Sequence, residues 1–387
     1  KLIDRGVRNI KNLGIATKKK SKGERPGDFM LVLATMCLVI FGVIMVFSAS
    51  YYSALSDYGD PYYFLKREVV YAGIGVVIML TVASIDYHWY KKLSWGLLGT
   101  SVILLMLVFT PLGVTRNSAT RWIGIGNLTL MPGEVAKICA ILFVAFYISS
   151  DPSRARSFKT GVLPLLGIGS VYFGLIYMQP NLSTAITIFM IIVTMLFTAG
   201  AKIWHLFAVA GAGILAGIFA IFVDPDGGYR LARVTSFLDP FADPLGGGYQ
   251  VVQSLYALGS GGLFGVGLGK SIQKNLYLPE AHNDFILAII GEEFGFIGIM
   301  LLLCGYIFLI WRGTHIAMNA GDLYGTLIAS GVTMMLGIQV LLNVATVTSS
   351  MPPTGITLPF ISYGGNAIWM FMAAMGLLIS VSRYSRK

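Results

Sequence analysis

Long runs of apolar residues alternate with short polar segments along this chain. The runs are about 18 to 28 residues long, which is the length that an α-helix needs to cross the hydrocarbon core of a bilayer. We therefore predict an all-α polytopic membrane protein with about ten transmembrane helices. The predicted spans lie near residues 29–50, 68–85, 93–111, 133–149, 160–178, 182–200, 203–223, 284–311, 324–349 and 364–382.

Two segments depart from this regular pattern. The fourth run is short, begins with Pro132-Gly133, and carries Glu134 and Lys137 within its apolar zone. Residues 224–283 form a long segment between the seventh and eighth spans, rich in glycine, proline and aromatic residues. A loop of this length is usually functional or disordered, and its aromatic content favours order. We expect it to pack on the outer mouth of the bundle as a large extracytoplasmic loop.

Basic residues are distributed unevenly among the predicted loops. With the amino terminus inside, the inner segments hold 19 lysine and arginine residues, whereas the short outer loops hold four. Because cytoplasmic loops carry an excess of basic residues, this bias predicts a multi-pass protein of the plasma membrane with both termini in the cytoplasm. Residues 1–28 are expected to form a basic tail on the anionic leaflet, and residues 29–387 the membrane domain.

Composition indicates the same class. The hydrophobic fraction is 56%, only 12% of the residues are charged, and the mean hydropathy is +0.74, whereas a soluble domain is about 25% charged. These values exclude a soluble enzyme, a disordered chain and a nucleic-acid-binding domain, so the net charge of +10 does not indicate a nucleic-acid partner. Cys37, Cys139 and Cys304 lie in separate apolar runs, without the spacing of a disulfide framework or metal site.

Charged residues within the spans are candidates for function, because a charge at the bilayer centre costs about 2.5–3.5 kcal/mol. Glu134 and Lys137 are three residues apart and share a helix face. They form either a neutralising pair that helps helices to pack or the lining of a polar cavity, in which Lys137 offers positive charge to an anionic substrate. Arg67, at the outer start of the second span, is either an interfacial residue or part of the same cavity.

The acidic residues of the eighth span favour structural roles. Glu292 and Glu293 are expected within or near the inner half of that span. Adjacent carboxylates on a helix point in different directions, so at least one of them is expected to cap or pair with a neighbouring helix.

Asp284 is the most informative candidate. In the segment before it (278–283), Pro279 ends the loop and polar residues cluster, and Asp284 then opens a long apolar run. One interpretation makes it a first-turn acid that the helix dipole favours. The other makes it a general base at the outer mouth of a cavity.

Several ordered motifs make the chain resemble the SEDS family (shape, elongation, division and sporulation) of bacterial peptidoglycan glycosyltransferases, nearest to its FtsW and SpoVE branch and related to RodA. The resemblance extends over about residues 29 to 386. The motifs that carry it are Met45–Ser50, Phe64–Arg67, Arg121–Ile123, Pro132–Lys137, Gln179–Leu182, Asp243–Gly246, Gln253–Ala257, Leu278–Phe285, Gly291–Gly298 and Thr357–Gly365. The chain departs from the family's usual residues at Asn181, Asn283 and Asn366, among others.

The resemblance implies ten spans and the polymerisation of lipid II into glycan strands on the outer face of the plasma membrane, in cell division or spore cortex synthesis. It implies that Asp284 matches the family's essential aspartate and that Arg67, Glu134 and Lys137 match polar residues of its cavity. The expected partners are lipid II, a class B penicillin-binding protein, and other division or sporulation membrane proteins.

The chemistry of lipid II suits a single carboxylate. Glycosidases need a carboxylate pair because their leaving group must be protonated, whereas a diphosphate already leaves readily. We therefore hypothesise that Asp284 takes the proton from the acceptor sugar's 4-hydroxyl. The diphosphate charge would be offset by Arg67, Lys137 and either Arg121 or Lys274, with or without a divalent cation such as Mg²⁺ or Mn²⁺. His282 and Ser362 complete the predicted substrate-binding set.

Two other functions remain open from the sequence. Charges within the membrane at Glu134 and Lys137 also suit a flippase that carries lipid II across the bilayer. A non-catalytic scaffold for division proteins is the third possibility. Asp284 distinguishes the flippase from the glycosyltransferase. Without the Asp284 carboxylate a glycosyltransferase should form no polymer, whereas a flippase should still translocate lipid II.

Overall fold

The computed structural model describes residues 26–116, 119–125, 128–222 and 236–385. Over these residues the chain forms eleven α-helices and one three-stranded antiparallel sheet. The helices are α1 (Phe29–Tyr58), α2 (Tyr63–Ser84), α3 (His88–Leu107), α4 (Pro132–Ser150), α5 (Leu163–Tyr177), α6 (Leu182–Thr198), α7 (Ile203–Phe222), α8 (Tyr249–Gly261), α9 (Ile286–Met318), α10 (Leu323–Val347) and α11 (Gly365–Arg383). The strands are β1 (Gly113–Arg116), β2 (Ala119–Ile125) and β3 (Leu128–Leu130).

The predicted fold class is confirmed. All of these helices except α8 overlap the ten predicted spans, with ends that differ by up to eight residues. By length and composition, seven helices among the described residues are able to cross a membrane, and α6 and α7 contain shorter apolar stretches. The remaining one, α3, begins with a basic and aromatic turn that lowers its apolar character.

The centre of the bundle is built from α4 and α10. Both are buried along most of their length and contact several other helices, and a helix that is apolar on all sides is expected in such a position. Glycine allows close approach where α2 and α11 cross, since a Cβ on Gly376 would lie 2.6 Å from the carbonyl oxygen of Met79. Because α4 and α10 are buried, their side chains, polar as well as apolar, meet inside the protein and away from lipid.

Two features of the loops were not predicted. Residues 113–116, 119–125 and 128–130 form the small sheet, in which β2 pairs with both β1 and β3. The predicted loop 224–283 contains α8, which packs on α9. Residues 224–235 of that loop and residues 1–25 of the predicted basic tail lie outside the described residues.

Helix α9 is broken at Gly295, where the backbone adopts φ 66° and ψ −167°. The segment 262–267 runs beside this break and supplies the hydrogen bonds that the helix loses. Four backbone bonds of 2.9–3.1 Å join Val266 N–H to Glu292, Gly267 N–H to Glu293, Phe296 N–H to Gly262, and Ile297 N–H to Leu263, each at the carbonyl oxygen. An unsatisfied backbone group is costly in an apolar environment, so the break and the segment stabilise each other.

Candidate active site

Asp284 lies two residues before α9, at the end of the turn-rich segment 278–285. Its side chain is half-buried. Its carboxylate lies against the backbone of Gly355, since a Cβ on that glycine would be 3.7 Å from Asp284 Oδ2. Gly355 has φ 69°, a conformation that favours glycine. A glycine at this position therefore lets the 354–357 segment approach the carboxylate.

One face of α10 holds this arrangement together. Asn343 Nδ2 donates to the backbone oxygens of Asp284 at 2.8 Å and Ile356 at 2.7 Å. One turn away, Gln339 Nε2 donates to the Thr357 oxygen at 3.4 Å. Polar residues at a spacing of four lie on one side of a helix. Helix α10 therefore fixes both the backbone of Asp284 and the segment that faces the Asp284 carboxylate.

Thr346 extends the same polar face toward the end of α10. Its hydroxyl lies 3.0 Å from that of Thr354, and the Ser183 hydroxyl donates to the Thr354 carbonyl at 2.6 Å. The 354–357 segment is thus bound by α10 on one side and by the start of α6 on the other.

Glu134 and Lys137 form a buried ion pair in the first turns of α4. Lys137 Nζ lies 2.8 Å from Glu134 Oε2, and the two side chains are 3% and 8% exposed. The same ammonium donates to Gln339 Oε1 at 2.9 Å. Glu134 occupies the first turn of its helix, where a negative charge is favourable. Lys137 is therefore coupled through Gln339 to the α10 face that binds the backbone of Asp284.

The motif at the start of α2 meets the other side of the 278–285 segment. The Phe64 ring lies 4.4 Å from the His282 ring and 4.9 Å from the Tyr363 ring, centroid to centroid. Tyr363 N–H donates to the His282 carbonyl at 2.9 Å. Three motifs that are far apart in sequence, around residues 64, 282 and 363, therefore form one aromatic cluster two residues from Asp284.

Arg67 is exposed at this cluster. Its guanidinium lies over the Tyr63 ring, 4.7 Å from the centroid, and beside the Tyr363 hydroxyl. A guanidinium packed on aromatic rings keeps donors available to an anion.

Burial sets the protonation of two groups in the cluster. Burial lowers the pKa of His282 from its ordinary value of 6.5, although the nearby Glu280 and Asp57 carboxylates oppose the shift. Burial also raises the pKa of the Tyr363 hydroxyl, against the opposing effect of Arg67. At neutral pH His282 is therefore uncharged, and Tyr363 keeps its proton.

Three predicted substrate-binding residues have other contacts. Lys274 is 4% exposed and pairs with Glu293 at 2.8 Å, so its charge is already compensated. Ser362 is also buried, and its hydroxyl oxygen accepts the Leu358 N–H at 2.7 Å. Arg121, on β2, donates to the Pro180 carbonyl. The geometry does not support the prediction that Lys274 offsets a diphosphate.

Glu292 and Glu293 have the structural roles expected of them, but the predicted location is wrong. They lie two turns after the Asp284 end of α9, not in its other half. Glu292 accepts Ile272 N–H at 2.8 Å and Gln273 N–H at 3.3 Å as well as the Ser271 hydroxyl. The reason for the error is that the span begins at Asp284, so residues eight and nine positions later fall near its start.

Within the described part of the chain, no group of three or more acidic, histidine or cysteine side chains is placed to hold a metal ion. The divalent cation remains a prediction.

Comparison with known proteins identifies the family of this chain. The model of the FtsW/RodA/SpoVE cell cycle protein family matches residues 28–387. The chain belongs to the FtsW/RodA/SpoVE family. The resemblance seen in the sequence motifs is thereby confirmed.

Individual relatives extend over almost the full chain. Stage V sporulation protein E of Bacillus subtilis is 43% identical over 373 residues, covering 96% of this chain and all of that protein (100%). A probable peptidoglycan glycosyltransferase FtsW of Trichlorobacter lovleyi is 39% identical over 356 residues, covering 92% and 93% of the two chains.

Two solved structures share the fold. A chain from a peptidoglycan synthase complex, studied for how polymerization and crosslinking are coordinated, superposes with a TM-score of 0.76 at 29% identity, over 92% of this chain and 98% of that one. The rod shape determining protein RodA of Thermus thermophilus superposes with a TM-score of 0.67 at 28% identity, over 92% and 97% of the chains.

Sequence reasoning missed the polar face of α10. Gln339, Asn343 and Thr346 recur at helical spacing within an apolar run. Polar residues at that spacing in a membrane helix mark a buried functional or structural face, so the signal was present in the sequence.

Proposed function

We propose that this protein is a peptidoglycan glycosyltransferase that joins lipid II units into glycan strands, with Asp284 as the general base. The observation that carries the proposal is the position of the Asp284 carboxylate, half-buried against Gly355 beside the aromatic cluster of His282 and Tyr363. Membership of the FtsW/RodA/SpoVE family supports it, as do relatives named as probable peptidoglycan glycosyltransferases.

The proposed reaction needs one proton acceptor. Asp284 takes the proton of the acceptor sugar's 4-hydroxyl, and the resulting oxygen attacks the anomeric carbon of the donor. The bond between that carbon and the diphosphate breaks, and the polyprenyl diphosphate leaves with the electron pair. No second carboxylate is required, because the leaving group is stable as an anion.

Arg67 is the first candidate to stabilise the departing diphosphate. It is exposed at the aromatic cluster that includes His282, two residues before Asp284, and its contacts are with the aromatic side chains of Tyr63 and Tyr363. Lys137 is a second candidate, although its ammonium is shared with Glu134 and Gln339. A substrate phosphate would have to compete with Glu134 for Lys137. A divalent cation would be held by the diphosphate itself, since the described residues contain no group of three or more acidic, histidine or cysteine side chains that could hold it.

The proposed setting is the plasma membrane of a bacterium, with both termini in the cytoplasm and Asp284 on the outer side. The excess of basic residues in the segments at the opposite end of the bundle supports this orientation. The proposed partner is a class B penicillin-binding protein that crosslinks the strands. The similarity to a chain from a peptidoglycan synthase complex supports a partner of this kind.

The flippase alternative is less well supported by the geometry. It relies on Glu134 and Lys137 as polar groups on a translocation path, but the two side chains neutralise each other and are buried. Buried, paired charges are typical of a packed helix contact.

Reconstitution separates the three functions. Purified protein is incubated with lipid II, with and without the class B partner, and glycan is separated by length; in parallel, lipid II translocation is measured in vesicles. The proposal predicts that glycan chains form and that the protein without its partner does not translocate lipid II. Translocation without glycan would favour the flippase, and neither activity with the partner present would favour the scaffold.

A further inference from the structure

Two ion pairs lie at two different levels along the α1 and α9 helices. At one level, Arg312 of α9 donates to Asp28, the cap of α1, with Nε 3.1 Å from Oδ2. At the other level, Lys274 Nζ lies 2.8 Å from Glu293 Oε1 and 3.0 Å from the Ser48 hydroxyl of α1. The two helices are therefore joined by charged groups at two levels.

The distance between these levels matches the thickness of a membrane. Glu293 and Arg312 are 19 residues apart on α9, and Asp28 and Ser48 are 20 residues apart along α1. At about 1.5 Å per residue, both intervals are about 30 Å, which is the thickness of the hydrocarbon core. The intervals on two helices that run in opposite directions thus agree on where the hydrocarbon core ends. The Lys274–Glu293 pair marks the boundary of the core on the Asp284 side.

The segment 262–274 is fixed at the level of this pair. Its first half makes the four backbone bonds to α9 around Gly295. Its second half is held by Glu292, which accepts the Ile272 and Gln273 N–H groups. The backbone N–H and C=O groups that α9 and the segment bond to each other need no water. Irregular backbone at the edge of the hydrocarbon core is tolerated only when its polar groups are satisfied within the protein in this way.

The outward side of this segment is apolar. Four large apolar side chains are each more than half exposed: Leu263, Phe264, Leu268 and Ile272. Residues 244–279 contain only two charged side chains, Lys270 and the buried Lys274. A stretch of that length facing water would carry about nine charges at the usual fraction.

This apolar side continues onto an exposed apolar part of α9. Phe296, whose N–H is bonded to Gly262, is 55% exposed, and Leu301 is 69% exposed one to two turns later. No boundary of polar residues separates the described segment from that face of the helix.

We propose that residues 262–272 form an interfacial element that inserts its exposed apolar side chains into the acyl chains of the leaflet on the Asp284 side. The occupant of this surface is membrane lipid, because the surface lies at the bilayer boundary set by the two ion pairs and is continuous with a lipid-facing helix. Apolar side chains at an interface bind the upper acyl region while cationic residues such as Lys270 reach the headgroups. The segment is thus part of the membrane surface and not a water-facing lid, and this placement is independent of the proposed catalytic role.

Depth-dependent fluorescence quenching tests the proposal. A bimane label is attached to Phe264→Cys in the full-length protein, after replacement of the native thiols by alanine, and the protein is reconstituted in vesicles. The quenchers are aqueous iodide and lipids with a nitroxide near the top or near the end of the acyl chain. Two matched positions calibrate depth: Leu301→Cys, eight residues beyond Glu293, and Ser56→Cys, eight residues beyond Ser48 at the exposed end of α1. The thiols that must be replaced are Cys37, Cys139 and Cys304.

The expected result is that the nitroxide near the top of the chain quenches the Phe264→Cys label most strongly. The deep nitroxide is expected to quench Leu301→Cys most strongly, and iodide alone to quench Ser56→Cys. The Leu268→Cys label, like the Phe264→Cys label, is expected to be quenched most strongly by the nitroxide near the top of the chain. The proposal is overturned if iodide quenches Phe264→Cys and Leu268→Cys as it does Ser56→Cys while neither lipid nitroxide does, or if both labels match Leu301→Cys.

Discussion

Asn343 binds the backbone carbonyl of Asp284 at 2.8 Å, and the same amide nitrogen binds the Ile356 carbonyl at 2.7 Å. One fully buried side chain on α10 therefore joins the residue proposed as base to the segment that faces its carboxylate. The position of Asp284 depends on a helix about 59 residues further along the chain.

Replacing Asn343 by leucine should lower activity by displacing Asp284. The variant leaves one buried and one partly buried carbonyl oxygen without their donor, and the loss of a donor to a buried acceptor costs about 1–3 kcal/mol. We expect a lower unfolding temperature and a lower kcat with lipid II, measured by thermal unfolding in detergent and by glycan formation. Asn319→Leu is the matched control, because it removes an amide-to-carbonyl bond at the far end of α9. Equal activity losses in the two variants would contradict the positioning role.

Lys274→Met should destabilise the protein strongly. It leaves Glu293 as an uncompensated charge in a buried site, which typically costs about 3–5 kcal/mol. Adding Glu293→Gln removes the orphaned charge and should recover most of the lost unfolding temperature. If Lys274 instead serves the diphosphate, the single variant would keep its stability and lose only activity.

The Glu134–Lys137 pair allows its two interpretations to be separated. Lys137→Met alone should destabilise α4, because Glu134 stays buried without its partner. In the double variant with Glu134→Gln, stability should return. Glycan formation should stay low if the ammonium acts on substrate, and should recover together with stability if the pair serves only packing.

Acidification should destabilise the protein through His282. Burial holds the pKa of His282 below 6.5, so the folded state binds a proton less readily than the unfolded chain. The unfolding free energy should be constant above about pH 6.5 and fall as the pH drops below that value. Thermal unfolding between about pH 7 and pH 5.5 measures the effect, and His282→Gln should make it smaller. An unchanged pH dependence in that variant would contradict this assignment.

The sequence predicted the helices well because each span is a local property of composition and length. The ten spans follow from apolar runs, and Asp284 stood out because it precedes one of them. The resemblance to a family added the role of Asp284, which the residue pattern alone left open.

The partners of the charged residues were not predictable in the same way. Lys274 was predicted, as an alternative to Arg121, to offset the diphosphate charge. Its partner, Glu293, could not be foreseen, because it lies on another element and is reached only when the 262–274 segment folds onto α9. Ser362 similarly uses its hydroxyl within its own turn. A sequence indicates that a buried charge needs a partner, but tertiary packing selects which one.

The most direct test of the proposed base compares wild type with Asp284→Asn in lipid II polymerisation, with the class B partner present. The amide cannot accept the acceptor proton but keeps the size of the side chain, and the backbone bond from Asn343 is retained. The proposal predicts that Asp284→Asn has the wild-type unfolding temperature and binds lipid II but forms no glycan. Glycan formation by this variant at the wild-type rate would contradict the assignment of Asp284 as the general base.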